Sequence, residues 1–482
     1  MIVSIETPVF KGKWLTQCID SVLTQSSPNW TLSLCWDGGD EQSRKILEAL
    51  DARNLPNVTV YFEENRGIAN ARHFISARSE GDYILPLDDD DVLTADAVEK
   101  LLAFVEAKPW SGIVRGRRKF IDEAGVVVDE EPWFPFEPRH YQHGMVTDVF
   151  NHSQPYLIKR SLYNQTAGWE GFEDFMFAGE DCDIILKLEE LAPIELLDDV
   201  LYYYRLNSNR ASDALEVAGA HEMWRRLADK SIARMGLPLE RKNDVPPYIY
   251  GRLPRSLPDK SMIDFIVPGE GGLRGFFKKK RLLRTLKRNG ITEDAVHFVQ
   301  RDEKSVATIY NEGFQQTARP LVCFLHQDTI IKGSGFFDTL LATMHEELAD
   351  IIGPRLLNAK GATCCANPYF NDELLPETHS ASAQDERRLD AVSEAQWLPN
   401  EFLLVRREVM NAVAGFDAGY GCSRIESADF CLKARFRDFK CLYAGASAVV
   451  CNTFSDSSMQ AEFVGLQAFH EKWSGYDSLF WR

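Results

Sequence analysis

From residue 2 to residue 87 the chain alternates short apolar runs with segments of helical spacing, and that alternation leaves few folds open. Residues 2–5, 30–36, 58–62 and 83–87 read as strands, because they are short, apolar and bounded by turn residues. Between them, residues 14–23 place Leu15, Cys18, Ile19 and Val22 on one helical face, and 42–52 and 67–79 follow with the same periodicity. Strand–helix alternation of this kind predicts an α/β fold with a mostly parallel sheet and helices on both faces. Ligands of such sheets bind beyond the carboxyl ends of the strands. The loops after Ile5, Trp36 and Leu87 are therefore the expected site.

One of those loops is acidic. The strand ending at Leu87 runs directly into Asp88, Asp89, Asp90 and Asp91. Four adjacent carboxylates repel one another, so a solvated turn or a helix N-cap is the ordinary outcome. At the ligand end of a core strand they instead point to a hard divalent cation, Mg2+ or Mn2+, bridging carboxylate oxygens to a substrate diphosphate. A second cluster, Glu180, Asp181, Cys182 and Asp183, opens a helix after Gly179. Acids at a helix start can simply be capping residues. The functional reading makes Asp181 a general base that removes a hydroxyl proton, with Glu180 orienting it or touching the acceptor.

These segments together resemble glycosyltransferase family 2. The stretch Val3-Ser4-Ile5-Glu6-Thr7-Pro8-Val9-Phe10 resembles the family's first strand and its proline-containing loop. Residues 20–25 resemble its "S-v-l-x-Q" helix, and Asp37-Gly38-Gly39-Asp40 its "D-D-G-S-x-D" loop, with Trp36 and Gly39 departing from it. Asn65-Arg66-Gly67, Ala71-Arg72-His73, Leu87-Asp88-Asp89-Asp90-Asp91 and Glu180-Asp181-Cys182-Asp183 follow in the family's order. So does Tyr203-Tyr204-Arg205 with Ser212, although Asn207 stands where a histidine is usual.

The resemblance implies an inverting transferase of the GT-A fold that uses a nucleotide-sugar, with UDP-sugar as the default donor. It assigns Pro8, Asp37, Arg72, Asp88 and Asp89 to donor binding. Asp88 and Asp90 become the metal pair, with Asp90 the principal ligand, and Asp181 the base. The implied acceptor is a glycan or a lipid-linked glycan, in bacterial surface polysaccharide synthesis. Its recognition is expected in loop 130–155, which holds Trp133, Phe134, Phe136, His140, Tyr141 and His143.

The expected domain plan is a transferase domain at 1–212, a helical and proline-rich connector at 213–257, and a second, divergent GT-A-like domain at 258–482. In the second half, residues 319–325 lead into His326-Gln327-Asp328 as the first half leads into its acids. Tyr310 and Asn311 stand in the place of Arg72 and His73, and Glu426-Ser427-Ala428-Asp429 aligns with the second acidic cluster. His326, Asp328 and Glu426 are the candidate site residues there, with Ser427 where a base is expected. Both an active second transferase, giving a two-sugar polymerase, and a non-catalytic domain stay open. A carbohydrate-binding protein on a transferase fold is the remaining alternative.

Bulk properties narrow the partners. The net charge of −18 argues against nucleic-acid binding. The cysteines follow no framework or metal spacing, which fits reduced thiols in the cytoplasm. No run of apolar residues is long enough to span a bilayer, and the N-terminus does not read as a signal peptide. Residues 274–288 are strongly basic with an apolar side. They read either as a domain helix with a solvated basic face or as a peripheral contact with an anionic membrane.

Overall fold

A computed structural model of the chain describes residues 1–109, 111–130, 145–146, 154–170, 179–192, 194–206, 217–237, 239–244, 248–253, 255–301, 304–371, 375–379, 389–437, 439–451 and 459–473. Most of the aromatic loop 130–155, and Asn207 and Ser212, lie outside these residues. The chain divides into two α/β units. One is Met1–Arg234 with Leu239–Gly251, and the other is Met235–Pro238 with Arg252–Arg482.

In the first unit, strands β1 (Val3–Val9), β2 (Trp30–Asp37), β3 (Val58–Glu63) and β4 (Tyr83–Pro86) form a parallel sheet in the order β3-β2-β1-β4. Beyond β4 come β5 (Val92–Leu93), β6 (Ile113–Ile121), β7 (Tyr156–Lys159) and β8 (Ile194–Arg205). Strand β7 inserts antiparallel between β4 and β6, and β8 runs parallel to β6. Helices α1 (Leu15–Leu23), α2 (Glu41–Asp51), α3 (Ile68–Ser76), α4 (Ala97–Ala107) and α5 (Glu180–Glu189) complete the layers. Side chains alternate between the two faces of a strand, and the core follows that period. Leu85 joins Val3, Ile5 and Leu34 on one face, while Ile84 joins Ile113, Ile158 and Ile184 on the other.

Local chemistry sets the helix starts. The Asp40 side chain accepts from Ser43 N at 2.7 Å and caps α2. Before α5, Gly179 has φ +93°, and a Cβ there would lie 2.7 Å from the Met223 sulfur, so only glycine fits this entry.

Strand β1 is buried along its whole length although it contains Glu6. That carboxylate accepts from Ser79 Oγ at 2.5 Å, from Arg160 at 3.2 Å and from Ser76. A buried charge is tolerable only with such a set of donors.

The stretch expected as a connector carries its own structure. Helix α6 (Val217–Met235) is followed by strands at Leu239–Arg241 and Tyr248–Arg252, the latter pairing Met145–Val146. Asp229 on α6 ties the two strands to the helix, through Arg241 at 3.2 Å and Tyr250 at 2.9 Å.

The second unit repeats the central plan, with further strands at Thr363–Phe370, Pro376–His379 and Val392–Glu394. Its members are β9 (Ile263–Gly269), β10 (Val296–Gln300), β11 (Leu321–Leu325), β12 (Ile330–Ile331), β13 (Ile351–Leu357), β14 (Phe402–Arg406) and β15 (Cys441–Val450). The order is β10-β9-β11-β14-β13, with β15 parallel to β13 and β12 against β15. Strand β14 is the antiparallel insertion, as β7 is in the first unit. The layout matches the expectation of two tandem α/β domains of GT-A-like plan. Among the described residues, the edge strand β3 has no counterpart beyond β10. Helices α7 (Gly272–Arg288), α8 (Val306–Phe314), α9 (Phe336–Glu346), α10 (Ser423–Phe436) and α11 (Met459–Trp473) belong to this unit.

Candidate active site

The acidic loop follows β4, and its four carboxylates divide by their partners. Asp91 turns inward and is almost fully buried. It accepts from Tyr202 Oη and from the Arg205 backbone N–H, each at 2.7 Å. Burial, with Asp90 and Asp88 nearby, pushes its pKa well up. Asp89 accepts from Phe10 N at 3.0 Å, tying the loop after β1 to the loop after β4. Burial and the neighbouring Asp90 raise its pKa to about 7. Asp88, Asp89 and Asp90 are all part-buried.

Arg205 braces this loop from below. It is buried, and its guanidinium donates to Asp90 O at 2.8 Å, Asp122 O at 2.9 Å and Gln17 Oε1 at 2.7 Å. The sequence placed Arg205 in a family motif without giving it work. No local signal could have done so, since its partners lie far away in the chain.

Arg72, on α3, joins the two acidic clusters. It is 3% exposed, its Nη2 donates to Asp88 Oδ1 at 2.5 Å, and its Nε donates to Glu180 Oε1 at 3.3 Å. Trp169 lies under the guanidinium, 5.1 Å from ring centroid to Cζ. The third nitrogen, Nη1, is buried and has no hydrogen-bond partner among the described residues. Burial alone would lower the Arg72 pKa, but Asp88, Glu180 and Asp181 outweigh it and raise it.

Glu180 and Asp181 open α5. Glu180 is buried, and burial together with Asp181 lifts its pKa to about 7 against the pull of Arg72. Asp181 is half-buried, and its Oδ1 accepts from Cys182 N at 2.7 Å. Burial raises its pKa as well. Asp183 faces the other way, against Lys187 at 2.5 Å and Arg234 at 3.5 Å. The second cluster thus splits into a site-facing pair and a packing residue.

The other expected donor residues sit at the strand ends. Pro8 lies within β1 opposite Cys35. Asp37 ends β2, is buried, and accepts from Arg66 N at 3.0 Å. That bond anchors the loop leading into α3, and so the helix that carries Arg72.

In the second unit the same positions hold different chemistry. Ile263 pairs with Leu321 as Val3 pairs with Tyr83. Counting on, His326, Gln327 and Asp328 stand for Asp88, Asp89 and Asp90. The equivalence extends to contacts: Gln327 Oε1 accepts from Glu270 N at 2.7 Å, as Asp89 accepts from Phe10 N. Lys433 donates to Gly415 O as Lys187 donates to Gly168 O. Tyr310 replaces Arg72, and its hydroxyl donates to Asn400 O at 2.8 Å. Ser427, in the place of Asp181, is fully buried and donates to Leu398 O.

Glu426 is buried, and its Oε2 accepts from Ala307 N at 3.1 Å. Burial is the main cause that raises its pKa to about 7. A carboxyl with a raised folded pKa binds more protons folded than unfolded. Its penalty is therefore absent below about pH 4.5 and grows as pH rises toward 7. Glu426→Gln is expected to flatten the fall in thermal midpoint between pH 5 and 8 relative to the unaltered chain, as melting curves across that range would show.

Three comparisons place the chain among known proteins. Residues 4–166 match the family model described as glycosyl transferase family 2. A chondroitin synthase of Escherichia coli is 25% identical over 265 residues, covering 53% of this chain and 37% of that protein. A hyaluronan synthase of Pasteurella multocida is 26% identical over 213 residues, covering 44% of this chain and 21% of that protein. The chain thus aligns with well under half the length of these relatives. Among solved structures, S. aureus TarS 1-349 is 20% identical with a TM-score of 0.38, covering 48% of this chain and 66% of that one. The match to glycosyl transferase family 2 falls entirely within the N-terminal unit.

Proposed function

We propose that the first unit is an inverting glycosyltransferase that moves a sugar from a nucleoside-diphosphate donor to a hydroxyl of a glycan or lipid-linked glycan. One observation carries the reading: Arg72 bonds at once to Asp88 of the first acidic cluster and Glu180 of the second. It draws a diphosphate-side carboxylate and a base-side carboxylate into one centre. Asp181 accepts the proton of the attacking hydroxyl, and its raised pKa suits it to that task. Glu180, held by Arg72, fixes the first turn of α5 and so the direction of Asp181. The unpartnered Nη1 of Arg72 is a buried donor ready for a phosphate oxygen of the departing diphosphate.

Asp88 and Asp90 offer part-buried carboxylate oxygens, which suit a hard divalent cation. Mg2+ or Mn2+ there would offset the charge of the leaving diphosphate.

The described residues of the second unit lack this chemistry. Tyr310 cannot bridge two carboxylates, and the Ser427 hydroxyl is committed to a buried carbonyl. We read it as an accessory unit rather than a second transferase of the same mechanism. Calorimetric titration with UDP, GDP and dTDP, in Mn2+ and in chelator, tests both statements. One nucleotide is expected to bind, only with metal, at one site per chain. Two sites would restore the two-sugar polymerase, and none would leave only the carbohydrate-binding alternative.

Helix α7 bears on where the protein works. No described helix is long and apolar enough to cross a membrane. Leu282 and Leu286 of α7 are buried, while Leu273, Phe276 and Phe277 are 78%, 58% and 64% exposed. On a helix, Lys280, Arg284 and Lys287 continue that outward stripe. An exposed apolar turn beside a cationic row fits peripheral contact with an anionic bilayer. Flotation with phosphatidylglycerol vesicles should carry the chain at low salt, and Phe276→Ser with Phe277→Ser should abolish it. Equal flotation of the double variant would sink the idea.

A further inference from the structure

In the second unit three chemically different metal donors converge from two strand ends. His326 and Asp328 follow β11, and Cys451 follows β15. One ligand atom from each lies within 4.8 Å of the other two. The Cys451 sulfur is 3.8 Å from Asp328 Oδ1. Donors around a tetrahedral zinc ion sit about 3.5 Å apart, given its bond lengths. The Cys451–Asp328 pair is nearly at that spacing, and the group as a whole needs to close by about 1 Å.

We propose that His326, Asp328 and Cys451 form a site for a transition-metal ion of the zinc class, distinct in chemistry from the carboxylate pair of the first unit. Ligand softness decides the ion. Carboxylates alone suit Mg2+ and Mn2+, whereas imidazole and thiolate favour zinc and its neighbours. The difference arises at defined positions. His326 stands for Asp88, and Cys451 stands for Tyr204, because Val450 pairs with Ile330 as Tyr203 pairs with Val92.

Asp328 and Cys451 are 4% and 1% exposed, and His326 is half-buried. The site therefore meets solvent on the histidine side. Three protein ligands leave a fourth position, which a water or an anionic oxygen fills, the arrangement of reactive rather than closed zinc sites. The loop is held in shape around it. Gln327 donates to Gly275 O at 2.8 Å, and Arg281 donates to the Asp328 carbonyl at 3.2 Å. Such supports orient ligands. On binding, the Cys451 thiol loses its proton to solvent and the thiolate bonds the ion, so affinity rises with pH. The site requires no sugar transfer by the second unit.

The full chain, stripped with chelator and kept reduced, is titrated with Co2+ as a spectroscopic probe. The expected result is a near-ultraviolet sulfur-to-cobalt charge-transfer band that saturates at one ion per chain. Zn2+ should erase it, and excess Mg2+ should not. Cys451→Ser should lose the band with its melting curve unchanged, while Asp90→Asn, in the first unit, should keep it. His326→Ala, at a part-exposed position, should weaken Co2+ binding at least tenfold. No band in the unaltered chain, an equal band in Cys451→Ser, or unchanged affinity in His326→Ala would each overturn the proposal.

Discussion

Asp181→Asn is expected to lower turnover by about a thousandfold, within the range general bases supply, while nucleotide affinity stays unchanged. The substitution keeps size and the hydrogen bond from Cys182 N, because the amide oxygen still accepts. What it removes is the capacity to take a proton. The unaltered enzyme should show an acid limb in kcat above the ordinary aspartate range, because burial raises the Asp181 pKa. The sign is fixed: turnover falls as pH drops and Asp181 becomes protonated. Full turnover in Asp181→Asn would remove the base assignment. Loss of nucleotide binding along with turnover would mean the residue holds structure rather than a proton.

Arg72→Ala should be the most damaging single change to the first unit. Arg72 is 3% exposed, and its two partners have side-chain exposures of 29% and 7%. Removing one member of such a network leaves charges buried without compensation, at a cost of about 3–5 kcal/mol. The melting midpoint should drop by roughly 6 °C or more. Arg72→Lys separates charge from geometry. An ammonium restores the positive charge but cannot span both carboxylates with fixed, divergent N–H groups. It should recover part of the stability and little of the turnover, with the loss in kcat rather than KM. If Arg72→Lys worked as well as arginine, the bridge would have no role in aligning the two clusters.

What could be read from the sequence follows the range of the interactions. The strands and helices of the first half rest on local periodicity, so Leu15, Cys18, Ile19 and Val22 announced the buried face of α1 that the structure shows. The acidic clusters were visible as well, because one stands at the ligand end of a core strand, where carboxylates suit a cation better than a solvated turn. Their internal division was not. Asp88, Asp89, Asp90 and Asp91 look equivalent in a row, and only the approach of Tyr202, Arg205 and Phe10 separates the anchoring acids from the outward ones.

The antiparallel insertion of β7 was equally hidden, since nothing in Tyr156–Lys159 reports which strands it will divide. The proline-rich stretch after α6 misled for a physical reason. Proline removes a backbone donor, which reads as an open linker, yet the strands Leu239–Arg241 and Tyr248–Arg252 themselves contain no proline. In the second unit, Cys451 carried no signal at all, because its neighbours His326 and Asp328 are distant in the chain and adjacent only once the sheet forms.

The bracing of the acidic loop also sets a timetable for synthesis. A ribosome delivers residues at about 5–20 per second, and the chain can fold only with what has emerged. Strand β4 and its acids are made early, but Asp91 must wait for Tyr202 and Arg205, which follow it by 111 and 114 residues. Until then Arg72 is the counter-charge already made, through Asp88, and the two groups that anchor Asp91 are missing. Closure of the last strand, β8, against β6 is the event that shapes the loop. A chain released early from the ribosome would therefore carry the acidic residues of the candidate site without their arrangement.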